Sequence, residues 1–295
     1  GFAAGTVASG GTLGILIPPS SIMVIYAVLS QELIITLYIA ALVPALIAIT
    51  LHLGTILAYA RWRPGDAPVG PRATTAERWR ALRDSWQVIV LAVTVIGGMA
   101  AGVFTATESA AVGAVMAFAF AALRGRIRRA SLQAALTSTA STAAMIYVLI
   151  IGASLFGYFA TVTQAPQALV AQVQASGWPV WAAVAVLMAL FIVAGAVFDE
   201  VAAMVVTMPF VLPLIKSWGF DPIWWGVINV VVIELGMLMP PLGMNVFVVH
   251  GIAPQVGLGN IYRGVMPYIG SNLLRLALLL TFPALCLWLP QVMKG

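Results

Sequence analysis

The sequence Gly11-Thr-Leu-Gly14-Ile-Leu-Ile-Pro18-Pro19-Ser20-Ser21 recurs in related form as Glu234-Leu-Gly236-Met-Leu-Met-Pro240-Pro241-Leu-Gly243-Met-Asn245. Each copy places two consecutive prolines inside a hydrophobic segment, after a glycine and three large apolar residues. Proline lacks a backbone donor and disfavours helix at the preceding residue, so each pair predicts an interrupted helix. In lipid, irregular backbone persists only where protein or a polar cavity satisfies its polar groups. Two such segments in corresponding positions are typical of the substrate and ion site of a secondary transporter.

The composition is that of an integral membrane protein. Of 295 residues, 62% are hydrophobic and 8% are charged, a balance unsuited to a soluble domain of this size. The apolar runs are long enough for α-helices that cross about 30 Å of hydrocarbon. We therefore expect an all-α polytopic membrane protein, with the lipid bilayer as its surroundings.

The net charge of +5 does not indicate a nucleic-acid partner. Ten of the fourteen basic residues lie in two short clusters between apolar segments, over residues 61–83 and 124–129. An excess of Lys and Arg in short loops is typical of the cytoplasmic side of a membrane protein. We therefore place both clusters on the same, cytoplasmic side of the membrane.

Changes in composition divide the chain into four regions. Residues 1–60 hold the first Pro-Pro hairpin and a following span broken at Pro44, and residues 61–86 form a basic loop with an expected interfacial helix over 75–86. Residues 87–130 hold two scaffold-like spans and the second basic loop. Residues 131–295 form a second repeat with the second hairpin and a terminal span over 272–289.

Within the second repeat we expect a loop over residues 161–177 and a helix over 201–215 that bends or breaks at Pro209 and Pro213. A tyrosine followed by a proline, Tyr38 and Pro44, comes after the first motif and is echoed by Tyr262 and Pro267 after the second. The chain begins Gly-Phe-Ala-Ala-Gly, so we expect that a further half-repeat precedes it in the native protein.

The residues of the two motifs form the candidate substrate and sodium site. Backbone carbonyls, hydroxyls and an amide supply the hard oxygen ligands that sodium requires, and helix N-termini after each break could face a carboxylate. The alternative is that the prolines have a structural role alone and only kink packed helices. We assign substrate and sodium binding to the following residues: Thr12, Gly14, Pro18, Pro19, Ser20, Ser21, Asp199, Gly236, Pro240, Pro241, Gly243 and Asn245.

Other polar residues carry weaker indications. Asp199 ends an apolar span and is either a ligand or a residue at the membrane interface, and Glu108 has the position of a helix-start carboxylate. Arg263 and Arg275 could pair with an organic anion, but we expect both to extend to the interface. His52, His250 and the single Cys286 are predicted to be core residues rather than metal ligands. No cofactor is expected beyond sodium as the coupling ion.

Several motifs in order along the chain resemble the large membrane subunit of tripartite ATP-independent periplasmic (TRAP) transporters. The two Pro-Pro motifs resemble that family's two hairpins. The others are Phe104-Thr-Ala-Thr-Glu108-Ser-Ala-Ala, Gly195-Ala-Val-Phe-Asp199 and Gly219-Phe-Asp221-Pro222. Ala106 departs from the family, which usually has proline there, and about a third of the family's usual length is missing at the amino terminus.

The resemblance implies an elevator-type transporter of the bacterial cytoplasmic (inner) membrane, in which a transport domain with two re-entrant hairpins carries substrate and sodium past a fixed scaffold. It implies organic acid substrates such as C4-dicarboxylates or sialic acid. It also implies two protein partners, a periplasmic substrate-binding protein and a small four-helix membrane subunit.

Three alternatives remain open at this point. The chain could be a proton- or sodium-coupled two-hairpin anion carrier of another family. It could be an intramembrane hydrolase that uses Asp199 and Glu108 as its carboxylates, although it lacks a His-Glu-x-x-His pattern. A non-transporting membrane subunit would leave the duplicated breaks unexplained.

Overall fold

The computed structural model of the protein describes residues 1–68, 70 and 73–294, with residue 294 described by its backbone alone. Pro71 and Arg72 of the predicted basic loop, together with Val69 and Gly295, lie outside the described residues. In the described part every regular element is a helix, as predicted.

The α-helices fall in this order: α1 (Phe2–Leu16), α2 (Ser21–Ser30), α3 (Ile34–Trp62), α4 (Thr75–Asp84), α5 (Trp86–Ala100), α6 (Ala106–Leu123), α7 (Arg129–Val162), α8 (Ala165–Ala175), α9 (Val180–Val197), α10 (Glu200–Ser217), α11 (Pro222–Gly236), α12 (Met244–Ile252), α13 (Leu258–Thr281) and α14 (Ala284–Lys294). A short 3-10 turn, Pro254–Val256, joins α12 to α13.

Seven helical segments in the described residues are long and apolar enough to cross a membrane, and an eighth is added if the bent pair α4 and α5 counts as one span. The pair α1 and α2 counts together as one interrupted segment, Phe2–Ser30. The polytopic membrane fold predicted from composition is confirmed.

The chain forms two compact units. The first comprises Gly1–Val69 and Gly152–Gly295, and the second comprises Gly70–Ile151, so one boundary falls within α7.

Helix α11 is the centre of the first unit. All but its first residue are buried, and it packs against α9, α13 and α3. Glycines allow the closest approaches: a Cβ on Gly236 would lie 2.5 Å from the Ile192 carbonyl oxygen, and a Cβ on Gly5 of α1 would lie 2.2 Å from the backbone of Gly264 in α13. Close backbone packing through small residues is how membrane helices gain dispersion contacts without a hydrophobic driving force.

The second unit contains the predicted interfacial helix. Helix α4 ends at Asp84, begins with a capping box between Thr74 and Glu77, and bends by 54° into α5. Beside it, an Arg124 guanidinium nitrogen donates to the Asp84 carbonyl oxygen at 3.0 Å. This contact places the end of α4 next to the second basic cluster; that both clusters lie on one side of the membrane stays a prediction.

Two predictions about the second repeat were wrong, and a third is narrowed. Residues 165–175 form helix α8 rather than part of a loop, because Pro166 lies in the first turn, where a missing N–H costs nothing. Helix α10 is continuous through Pro209 and Pro213, so of the bend or break expected there the break is excluded, since neighbouring helices can satisfy the backbone groups that proline frees. The terminal span is replaced by α13, which starts at Leu258 in a more polar stretch, and a separate α14 after Pro283.

Candidate substrate and ion site

The first break comprises residues 17–20, between α1 and α2. Pro18 and Pro19 are joined by a cis peptide bond, as are Pro240 and Pro241 in the second break. Ser20 caps α2, because its hydroxyl oxygen accepts from the Met23 N–H at 3.4 Å, and the same hydroxyl donates to the Ile15 carbonyl oxygen at the end of α1. One serine thus links the two helices across the interruption.

Tyr38 of α3 holds this break from the side. Its hydroxyl donates to the Ser20 carbonyl oxygen at 3.2 Å and accepts from the Ser20 N–H at the same distance. Tyr38 is 4% exposed, so these bonds satisfy backbone groups that the broken helix leaves without partners in the interior.

The second break comprises residues 237–243, between α11 and α12. The Asn245 N–H donates across it to the Met237 carbonyl oxygen at 3.3 Å. Gly243 has φ +54°, and a Cβ there would lie 3.0 Å from the Met239 carbonyl oxygen, so the turn requires glycine.

Tyr262 of α13 holds the second break in a matching way. Its hydroxyl lies 2.8 Å from the Leu242 carbonyl oxygen and 3.2 Å from that of Pro241. Ser20 and Leu242 each follow directly after a Pro-Pro pair, so the two tyrosines bond equivalent carbonyls in the two copies. The tyrosine that follows each motif in the sequence therefore makes the corresponding contact in both copies.

The two interrupted segments meet through Asn245. Its side-chain amide nitrogen lies 3.4 Å from the Ala8 carbonyl oxygen of α1, and a Cβ on Gly11 would lie 3.4 Å from the same nitrogen. Since α1 precedes the first break and Asn245 lies in the first turn of the helix after the second, residues of both motifs share one packed region.

A fully buried ion pair lies at the second segment. Arg275 of α13 donates to the carboxylate of Glu234, two residues before the end of α11, and both side chains have no exposed area. The Leu16 backbone, at the end of α1, lies beside the same carboxylate. The expectation that Arg275 extends to the interface was wrong, because an intramembrane charge paired with an opposite charge avoids the cost of lone burial.

Several buried polar atoms of this pair, and of the two helices that carry it, have no hydrogen-bond partner among the described residues. They are Glu234 Oε1, Arg275 Nε and Nη1, and both side-chain polar atoms of Asn272 and of Asn229. Buried polar groups are normally bonded to protein or water. This region thus has capacity for polar ligands or water that its own side chains leave unused.

The remaining predicted site residues differ in exposure and role. Thr12 is buried and its hydroxyl donates to the Ser9 carbonyl oxygen of its own helix at 2.9 Å. The buried members are Thr12, Pro18, Ser20, Gly236 and Gly243, and the exposed ones are Gly14, Pro19, Ser21, Pro240 and Pro241. Gly236 serves close packing with Gly195 of α9, a role the sequence did not reveal.

Asp199 is the N-cap of α10, where one carboxylate oxygen accepts from the N–H groups of Val201 and Ala202 at 3.0 and 3.4 Å. It follows the last turn of α9, whose Gly195 contacts Gly236 at the start of the second break. Glu108 forms a capping box with Thr105 at the start of α6. Both carboxylates therefore stabilise helix N-termini.

Metal binding by side chains has little support. No group of three or more His, Cys, Asp or Glu side chains that could hold a metal occurs among the described residues. His52 is buried and its Nδ1 lies 2.9 Å from the Ala48 carbonyl oxygen, as expected for a core histidine. Oxygen ligands for a cation would come from backbone carbonyls, which keep a second lone pair when already bonded.

Comparison with known proteins identifies the family. Residues 1–285 match the DctM component of tripartite ATP-independent periplasmic transporters. The C4-dicarboxylate TRAP transporter large permease protein DctM of Rhodobacter capsulatus is 32% identical over 310 residues, which cover 99% of this chain and 69% of that protein.

Relatives with other substrates are nearly as similar. The sialic acid TRAP transporter large permease protein SiaM of Vibrio cholerae is 28% identical and covers all of this chain and 68% of its own length. The ectoine/5-hydroxyectoine TRAP transporter large permease protein UehC of Ruegeria pomeroyi is 30% identical over 98% of this chain and 67% of its own length.

The family settles two of the alternatives. Its members are transporters and not enzymes, so the intramembrane hydrolase is excluded, in agreement with the capping roles of Asp199 and Glu108. A carrier of another family is excluded by the match over residues 1–285. Multi-pass helices, two Pro-Pro breaks and this match agree: the chain belongs to the DctM family of large permease subunits of tripartite ATP-independent periplasmic transporters.

Proposed function

We propose that this chain imports small organic acids, C4-dicarboxylates or related carboxylates, by sodium symport across the bacterial inner membrane. The observation that carries the proposal is the pair of matching breaks, each bonded by a tyrosine after its Pro-Pro pair and brought together through Asn245. Relatives named for C4-dicarboxylates and sialic acid support a carboxylate substrate.

The breaks suit a carboxylate and a cation for separate reasons. Helices α2 and α12 begin directly after them, and the N-terminus of a helix carries roughly half a positive charge. Freed carbonyls on the other side of each break offer oxygen ligands to sodium. Bound sodium would offset the charge of the substrate, so that a loaded site is less costly to move through lipid than a partly loaded one.

The moving part in this proposal is an elevator-type transport domain in which the two Pro-Pro segments act as re-entrant hairpins. The substrate would be delivered by a periplasmic binding protein, and a small four-helix membrane subunit would assist, as the tripartite family implies.

The test is uptake into proteoliposomes that contain the permease and both partner proteins. Radiolabelled succinate should enter with an inward sodium gradient and should not enter when choline replaces sodium or when only a pH gradient is imposed. The double substitution P18A/P19A and the substitution N245A should abolish sodium-driven uptake while leaving membrane insertion intact. N260A is the matched control, because the Asn260 side chain donates to the Val256 carbonyl oxygen, four residues earlier in the chain and away from both breaks.

Uptake driven equally well by a pH gradient would overturn sodium coupling but leave the carboxylate proposal standing. Full sodium-driven uptake by N245A and by P18A/P19A would overturn the location of the site.

A further inference from the structure

Helix α4 has no buried residue and joins a membrane-spanning segment at a sharp angle. Its ten residues include three arginines and one tryptophan, and it bends by 54° into α5 at Ser85. Trp79 is 68% exposed and Trp86, the first residue of α5, is 44% exposed. A polar, tryptophan-bearing helix at the end of a span has the form of a segment that lies at the membrane surface.

A cavity of about 540 Å³ lies along this helix, lined by Ala76, Trp79, Arg80, Leu82, Arg83 and Trp86. The Trp86 ring is braced edge-on against Phe120 of α6, with centroids 5.4 Å apart. In the part of the chain that the structure describes, neither Arg80 nor Arg83 has an ion-pair partner. The cavity therefore combines two free guanidinium groups with two indole rings.

Glu77, the acidic residue in the first turn of this helix, is already hydrogen-bonded in the capping box. The Glu77 carboxylate accepts from the Thr74 N–H and hydroxyl at 2.7 and 2.9 Å. Arg124 adds a further positive charge next to the helix through its bond to the Asp84 carbonyl oxygen. With the Asp84 carboxylate counted as well, the helix and Arg124 together carry four positive and two negative charges, so the local field favours an anion.

We propose that Arg80 and Arg83, flanked by Trp79 and Trp86, bind the headgroup phosphate of an anionic phospholipid in the cytoplasmic leaflet. Guanidinium groups bond phosphate oxygens in a fork geometry, and indole rings favour the headgroup level. The excess of arginine in both clusters assigns this end of the span to the cytoplasmic side, and basic residues next to a span attract anionic lipid headgroups. The site is independent of the proposed transport cycle.

The test uses the protein in nanodiscs of phosphatidylcholine that contain a few per cent of brominated phosphatidylglycerol or brominated phosphatidylcholine. Bromine quenches nearby tryptophans, so brominated phosphatidylglycerol should quench more than brominated phosphatidylcholine does at equal fractions. In the variant W79F/W86F this difference should disappear. Free inorganic phosphate at millimolar concentration should not remove it, because the site takes the lipid rather than the ion.

R80Q/R83Q should weaken the preference for phosphatidylglycerol, by about fivefold for each arginine lost. R126Q/R128Q is the matched control, since it removes the same charge from the second basic cluster outside the cavity and should keep the preference. R80K/R83K retains the positive charges and should keep most of the preference for phosphatidylglycerol. If R80Q/R83Q proves unstable, this second variant still tests the role of the charges in a folded protein.

Equal quenching by the two brominated lipids in the unaltered protein would overturn the proposal. An equal loss of preference in R80Q/R83Q and R126Q/R128Q would also overturn it, because it would show a general attraction to positive charge. Displacement by inorganic phosphate would reassign the site to a soluble anion.

Discussion

The Tyr38 hydroxyl bonds both the carbonyl oxygen and the N–H of Ser20, the residue directly after the first Pro-Pro pair. The Tyr262 hydroxyl likewise bonds the carbonyl oxygen of Leu242, the residue directly after the second pair. A broken helix in lipid needs such partners, and here one side chain in each copy supplies them.

Removing either hydroxyl should loosen its break. Y38F and Y262F should each raise the sodium concentration needed for half-maximal uptake, because a lost hydrogen bond costs about 0.5–1.5 kcal/mol. Sodium titrations of uptake in proteoliposomes measure this change. Y26F is the control, since the Tyr26 hydroxyl bonds the Pro222 carbonyl oxygen away from both breaks. Equal shifts in all three variants would contradict the prediction.

The buried pair of Glu234 and Arg275 should be sensitive to the loss of one partner. R275L leaves the Glu234 charge buried and unpaired, which costs about 3–5 kcal/mol. The thermal unfolding midpoint of the purified protein in detergent should fall clearly. The double variant E234L/R275M replaces both charges with apolar groups and should recover much of the loss. A midpoint for R275L equal to that of the unaltered protein would show that the pair is not buried.

Close packing at Gly236 should not tolerate a methyl group. In G236A the new Cβ would lie 2.5 Å from the Ile192 carbonyl oxygen, so α9 and α11 must separate. We expect a loss of about 1–3 kcal/mol of stability, as for other overpacked sites. G54A is the control, because a Cβ on Gly54 meets nothing within 4 Å. Unfolding midpoints in detergent compare the two, and similar midpoints would contradict the close approach.

Asp199 can be tested separately as a cap and as a charge. Asparagine caps helices about as well as aspartate, so D199N should keep the unfolding midpoint. If the charge contributes to the sodium site, D199N should lose sodium-driven uptake. Asp221 caps α11 through the Ile223 N–H at 2.7 Å, so D221N is a matched control that should keep uptake. Normal uptake by D199N would reduce Asp199 to its capping role.

The sequence predicted the features that depend on local chemistry. Consecutive prolines interrupt a helix in almost any surroundings, so the breaks near Pro18 and Pro240 could be read directly. The polar stretch over residues 75–86, with its two tryptophans, indicated helix α4 in the same local way. The order of motifs along the chain identified the family before the fold was known.

Features that depend on contacts between distant parts of the chain could not be predicted from the sequence. Nothing near Arg275 in sequence indicates Glu234, which lies 41 residues away, and the choice between pairing and extending to the interface depends on packing. The only available signal was that two opposite charges lie in apolar helices. Likewise, Gly236 looked like part of a ligand site because its contact with Gly195 depends on how α9 crosses α11.

The bonds that hold the two breaks differ in how deeply they are buried within the protein. Those at Ser20 are buried, whereas those at Pro241 and Leu242 are exposed, with Tyr262 itself only partly covered. Water can replace an exposed hydrogen bond at little net cost, but a buried one must be lost without replacement. Where its exposed side meets water, the second break would therefore open locally at lower cost than the first.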